Sequence, residues 1–187
     1  QEPAQGTDVQ VEAAGQLGSK ISKPETHTSE LIGIAAAMLI LVLVFGTVTA
    51  MVLPIAVAII GLFAGLCFVS LFGHLVDVPD VAPTVATMIG LGVGIDYSLF
   101  IVTRARSARS EGMSTTDAIG HAAATSGSAV AFAGGTVVIA LLALAVSGVS
   151  LITVLGQAAA IVVVVAVLAS MTLLPALLGL CGDGIER

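Results

Sequence analysis

Long apolar runs, separated by short polar segments, make up the chain from residue 31 almost to its end. No Asp, Glu, Lys or Arg occurs between residues 31 and 76, and none occurs between residues 118 and 182. Each run reaches the roughly 20 residues that a helix needs to cross a hydrocarbon layer of about 30 Å. The pattern predicts five membrane-spanning helices, at residues 31–52, 54–73, 82–104, 126–147 and 151–178.

These runs lack the polar face that a helix of a soluble bundle presents to water. Hydrophobic residues make up 57% of the 187 residues and charged residues only 10%, and the mean hydropathy is +1.13. Such values lie outside the balance of a soluble globular domain. We therefore predict an all-α, polytopic membrane protein whose transmembrane domain covers residues 30–182.

The segments outside the spans differ in character. Residues 8–12 alternate like a β-strand and are followed by a linker rich in Gly, Ser, Thr and Pro, so residues 1–29 are expected to end an extracytoplasmic domain and lead into the membrane. Residues 105–125 are expected to form a polar loop containing a short helix. Residues 183–187 are left as a tail.

The basic residues predict the orientation. Arg104, Arg106 and Arg109 follow the third span, whereas the loop at residues 74–80 carries two Asp and no Lys or Arg. Because Lys and Arg accumulate in cytoplasmic loops, the Arg segment is expected inside. This assignment places the N-terminus outside the cell membrane and the C-terminus in the cytoplasm.

Ser114, with Asp117 three residues later, is typical of a helix N-cap. It predicts a short helix over Thr115–Ala124 that lies on the membrane surface. His121 on this helix has no second metal ligand three or four residues away, so we interpret it as a solvated histidine and expect no metal site. The net charge of −6 and the lack of a basic stripe argue against nucleic acid as a partner.

Asp96 is the one charged residue between residues 81 and 103, near the middle of the third predicted span. An acid at this depth is costly in its ionised form and is therefore a candidate functional residue. It can serve either as a proton-binding group or as a protonated, hydrogen-bonding strut.

Three glycines precede this acid. Gly90 and Gly94 form a small-xxx-small pair that lets another helix approach, and Gly92 lies one turn before Asp96 on the same face. A phosphate-binding loop is discarded, because the glycines stand inside one long apolar helix.

Two segments resemble a known family. Residues 92–104 read GVGIDYSLFIVTR and residues 124–136 read ATSGSAVAFAGGT. Together they resemble the fourth and fifth transmembrane helices of the MMPL branch of the resistance-nodulation-division (RND) transporters. On this resemblance the five spans are helices two to six of the first half of an RND-type bundle, and residues 1–29 end the porter domain.

The resemblance implies export of lipids or other hydrophobic molecules driven by the proton-motive force, and no enzymatic activity. It places the proton relay at Asp96 and Tyr97, packed around by Gly90, Gly92 and Gly94. No cofactor is expected apart from the coupled proton. The implied partners are membrane lipids, a hydrophobic substrate, and the second half of a transporter or another subunit, in the plasma membrane.

The same five helices also resemble sterol-sensing domains, which keeps open a non-transporting module that binds a lipid or a partner helix. The first helix, the porter domain and the second half of an RND transporter have no counterpart in the sequence. We therefore expect the chain to be part of a larger transporter.

Overall fold

The computed structural model describes residues 32–33, 35–36 and 48–181. The chain divides into one unit at residues 1–39, whose described residues are helical, and another at residues 40–187. The described part of the second unit contains four long helices: α1 (Val48–Phe72), α2 (Ala82–Ser110), α3 (Thr115–Leu142) and α4 (Ser150–Cys181). A 3₁₀ turn, Ala143–Ser147, follows α3.

All four helices are long and apolar enough to cross a membrane. Their candidate spans are Val52–Phe72, Ala82–Ser110, Thr115–Ser147 and Ser150–Leu180. The predicted class, an all-α polytopic membrane protein, is thereby confirmed. The first predicted span, residues 31–52, lies outside the described residues except for 32–33, 35–36 and the start of α1.

The two prolines inside helices do not end them. A break was expected between residues 52 and 54, but α1 begins at Val48 and runs through Pro54, whose side chain is fully buried. Pro175 lies inside α4, which continues to Cys181. Each proline removes one backbone donor, a loss that packed membrane helices tolerate because neighbouring groups compensate.

The predicted surface helix at Thr115–Ala124 is wrong as a separate element. Those residues are the first turns of α3, which continues without a break into the membrane span. Polar residues near residue 125, where the surface helix was expected to give way to the membrane span, fit inside one continuous helix. The Thr125 hydroxyl donates to the His121 carbonyl at 2.7 Å, and the Ser128 hydroxyl donates to the Thr125 carbonyl at 2.8 Å. On the other side of the loop, α2 extends to Ser110.

The start of α3 follows the sequence prediction. Ser114 is the N-cap, and its hydroxyl oxygen accepts a hydrogen bond from the Asp117 backbone N–H at 3.2 Å. The Ser114 hydroxyl in turn donates to the Asp117 carboxylate at 2.6 Å.

The turn into α4 depends on Gly148, whose φ of 69° is a left-handed conformation that other residues rarely adopt.

Buried residues recur at every fourth position on each helix. The four buried stripes are Leu53, Val57, Gly61, Gly65 and Val69 on α1; Ala82, Ala86, Gly90, Gly94, Ser98 and Val102 on α2; Ala118, Ala122, Ser126, Val130 and Gly134 on α3; and Val154, Ala158, Val162, Ala166, Ser170, Leu174 and Leu178 on α4. Rows of small residues four apart permit close helix packing. The α4 helix packs against the other three, because a row with this spacing winds around the helix and presents successive faces.

Candidate functional site

Asp96 lies on the outward face of α2. It belongs to an exposed stripe with a spacing of four residues, Met88, Gly92, Asp96 and Phe100, which we call the open face of α2. This stripe is offset by two residues, or about 200° around the helix, from the buried stripe of the same helix. The open face therefore points away from α4.

The depth of Asp96 follows from its position along α2. It stands 14 residues after Ala82 and eight before Arg104, or ~21 Å and ~12 Å along the helix axis. Its carboxylate has no hydrogen-bond or ion-pair partner among the described residues. The open face thus exposes an unpaired acid near the middle of a span of membrane length.

The three glycines that precede Asp96 differ in how closely other helices approach them. A Cβ at Gly90 would overlap the Val162 side chain of α4, and one at Gly94 would stand 3.2 Å from the Ala58 Cβ of α1. Both glycines therefore permit close helix packing. A Cβ at Gly92 would meet nothing within 4 Å, so Gly92 leaves a notch beside Asp96.

Tyr97 faces a neighbouring helix, as its position about 100° around α2 from Asp96 requires. Its ring is partly buried, and its Cε2 lies 3.4 Å from the place that a Cβ of Gly134 on α3 would occupy. A tyrosine in this position can be expected to donate its hydroxyl to a facing helix. The structure has the packing, but the hydroxyl has no hydrogen-bond partner within the described part of the chain.

Ser98 and Ser170 form a polar contact that the sequence analysis missed. Both side chains are fully buried, and their hydroxyl oxygens lie 3.1 Å apart between α2 and α4. The Ser170 hydroxyl also donates to the Ala166 carbonyl at 2.9 Å. The sequence does contain a signal for it: Gly90, Gly94 and Ser98 are spaced four residues apart, so the serine occupies the third position of a glycine series.

At the far end of α2, Arg104 contacts His121 of α3. The Arg104 Nη2 lies 3.4 Å from the His121 Nε2, so the guanidinium donates and this ring nitrogen accepts. His121 was predicted to be a solvated histidine; it is instead half-buried in the α2–α3 hairpin. The contact joins the two helices just beyond the apolar part of the span.

Known proteins with similar sequences share most of this chain. A sequence profile of the MMPL family matches residues 1–185. Membrane protein YdfJ of Bacillus subtilis is 42% identical over 154 residues, which are 82% of this chain and 21% of YdfJ. Putative membrane protein SCO6666 of Streptomyces coelicolor is 38% identical over 172 residues, covering 91% of this chain and 24% of the relative.

A relative with a named activity is the trehalose monomycolate exporter MmpL3 of Mycolicibacterium smegmatis. It is 29% identical over 184 residues, which cover 97% of this chain and 18% of the exporter. The chain therefore spans only 18–24% of the length of these relatives.

Proposed function

This chain belongs to the MMPL family, and we propose that it contributes the proton-relay helix of an exporter of lipids or other hydrophobic molecules driven by the proton-motive force. In this proposal Asp96 on α2 binds and releases the coupled proton, and Tyr97 assists it. Two relatives are named as exporters, MmpL3 of trehalose monomycolate and MmpL11 of mycolic acid-containing lipids. No cofactor is needed, because the proton itself is the coupling ion.

The observation that carries the proposal is the position of Asp96 on the open face of α2, where its carboxylate has no partner among the described residues. An ionised carboxylate facing hydrocarbon is expensive, and acids in membrane spans nearly always face a protein interior or a water-filled cavity. A carboxyl group that alternates between a neutral and a charged form resolves this cost. Such a group can couple proton movement to a change in its surroundings.

We propose that further protein covers the open face. The relatives are about four to six times as long as the matched segment, so a second half of the same transporter or another subunit can supply the covering helix. The notch at Gly92 leaves room for a side chain or a water molecule beside the acid. Tyr97 is the next residue and lies about 100° around the helix, with its ring packed toward α3.

The proposed location is the plasma membrane, with the Arg104 end of α2 in the cytoplasm. Three arginines follow the apolar part of α2, whereas residues 73–81 at its other end include no Lys or Arg. The bias of basic residues toward cytoplasmic loops supports this orientation. Protons would then enter from the side of the 73–81 loop.

The test is Asp96→Asn in the protein at its native length, expressed in bacterial cells. Asparagine keeps the size of aspartate but cannot titrate, so insertion and assembly should be unchanged while proton-dependent export is abolished. Tyr97→Phe keeps the ring packing on Gly134 and should lower export without lowering the amount of protein. Surface lipids quantified by mass spectrometry, with and without a protonophore, provide the measurement.

The matched control is Asp80→Asn, which makes the same chemical change at an exposed position outside the spans. It should retain export. Proton-dependent export by Asp96→Asn at a normal expression level would overturn the relay. Unchanged surface lipids in cells lacking the protein, together with lipid binding by the purified protein, would instead favour the non-transporting module.

A further inference from the structure

The contact between Ser98 and Ser170 has a defined direction. Ser170 has one hydroxyl proton and donates it to the Ala166 carbonyl at 2.9 Å. With that proton on the Ala166 carbonyl, Ser98 is the donor in the 3.1 Å contact between the two hydroxyls, a contact whose geometry fits either direction. The resulting chain runs from Ser98 to Ser170 and ends on a backbone carbonyl of α4, so it cannot pass a proton onward.

The residues that surround this contact are apolar. Next to it on α2 lies Gly94, whose would-be Cβ stands 3.8 Å from the Ala166 Cβ, and one turn further lies Val102, which is fully buried. These apolar surfaces fit closely, with the Val162 side chain of α4 lying over Gly90, but they make no directional bond. In lipid there is also no hydrophobic penalty for exposing an apolar face. A hydrogen bond, by contrast, is made at one rotation only.

The position of Ser98 relative to Asp96 connects this contact to the acid. The two residues are two positions apart, or about 200° around α2. Holding Ser98 against α4 therefore holds Asp96 on the open face. A rotation of α2 by a single residue, about 100°, breaks the serine contact and turns Asp96 toward a neighbouring helix.

We infer that Ser98 and Ser170 are positioning residues that fix the rotation of α2 and thereby aim Asp96 at the open face. The inference rests on the proposed function, because the residue that the serines position, Asp96, is the proposed relay acid. It assigns the serines no part in proton transfer itself. Without the contact, α2 populates rotated arrangements in which Asp96 no longer faces its covering partner.

The experiment measures the rotation of α2 directly in the protein at its native length. Spin labels are placed on Ser107, an exposed residue of α2 beyond the apolar span, and on the exposed Leu168 of α4. The other cysteines are replaced, and the distance distribution between the labels is recorded by pulsed electron paramagnetic resonance. Ser98→Ala and Ser170→Ala should each raise the population of a second distance roughly three- to twentyfold, the range measured for hydrogen bonds between membrane helices.

The two variants should not behave identically. Ser98→Ala leaves the Ser170 hydroxyl bonded to the Ala166 carbonyl, whereas Ser170→Ala leaves the buried Ser98 hydroxyl without its acceptor. The effect of Ser170→Ala should therefore be the larger, and the double variant should not exceed it. Ser98→Gly, which continues the series of Gly90 and Gly94 and also removes the hydroxyl, should give the same population as Ser98→Ala and serves if the alanine variants fail to assemble.

The control is Ser128→Ala on α3, where the serine is exposed and its hydroxyl bonds within its own helix. It should leave the distance distribution unchanged. A second readout is the pH dependence of export, whose midpoint should change in the Ser98 and Ser170 variants without a change in the amount of protein.

Distance distributions and pH profiles in both alanine variants that match those of Ser128→Ala would overturn the inference. So would additive effects in the double variant, since the two serines would then act independently. If Asp96→Asn still exports normally while the distances respond as expected, the relay fails and the positioning contact stands. The two ideas are thus tested separately.

Discussion

The Tyr97 ring of α2 lies over Gly134 of α3 at the helix interface, in the space next to the missing Cβ of the glycine. The Cε2 of the tyrosine ring lies 3.4 Å from the place where a Cβ at residue 134 would stand. The Tyr97 ring, which follows the candidate relay acid Asp96 in sequence, is therefore packed over Gly134 of another helix. This packing aims the Tyr97 side chain without any hydrogen bond from its hydroxyl in the part of the chain that the structure describes.

Substitution of Gly134 should displace both neighbours of this position. In Gly134→Ala the added methyl group overlaps the Val167 side chain of α4 and crowds Tyr97, so the free energy of unfolding should fall by about 1–3 kcal/mol. Gly135→Ala is the matched control, since a Cβ there meets nothing within 4 Å. Unfolding in mixed detergent micelles measures the difference, and equal stability of the two variants would contradict the contact.

A large side chain at Gly92 should distinguish a covered from an uncovered open face. In the 187-residue chain, Gly92→Leu should insert and unfold like the unmodified sequence, because the described residues leave the notch empty. In the protein at native length the same change should reduce proton-dependent export by at least tenfold if a helix covers Asp96. Export at the unmodified rate would indicate that nothing packs there.

The proposed orientation predicts which loops react with an impermeant thiol reagent. With Cys67 and Cys181 replaced by serine, a cysteine at Leu75, which is 83% exposed, should react in intact cells. A cysteine at Ser110, at the end of α2 beyond the arginines, should react only after the membrane is opened. The reverse pattern would place the Arg104 end outside and invert the proposed direction of proton movement.

The 187 residues alone should not conduct protons. Asp96 has no charged partner among the described residues, and Arg104, the nearest basic residue on its helix, is ~12 Å away along the axis. Vesicles containing only this chain should keep an imposed pH gradient, recorded with a trapped pH-sensitive dye, as long as vesicles with the Asp96→Asn chain. Faster loss of the gradient with Asp96 present would show that the isolated chain suffices.

Much of the local structure could be read from the sequence. The apolar runs predicted membrane helices, because a backbone in hydrocarbon must satisfy its hydrogen bonds internally and does so as a helix. The cap at Ser114 followed from a residue type with a strong backbone preference, and the predicted break between residues 147 and 151 coincides with the turn at Gly148. Pro54 misled the prediction of a helix boundary, since packing around it outweighs the loss of one hydrogen bond, whereas the predicted span at residues 151–178 already included Pro175.

The sequence by itself determined that Asp96 lies deep in a span, that Gly92 shares its face and that Ser98 lies opposite, because the helical repeat fixes these angles within one helix. The tertiary structure alone decided which side of α2 turns toward α4, that Ser98 meets Ser170, and that Tyr97 packs on Gly134. The reason is that both the interior of a membrane protein and the surrounding lipid are apolar. A helix that is apolar on all sides therefore carries no pattern that tells its buried side from its outer side. Only the close fit of glycine, alanine and serine stripes from several helices selects one arrangement.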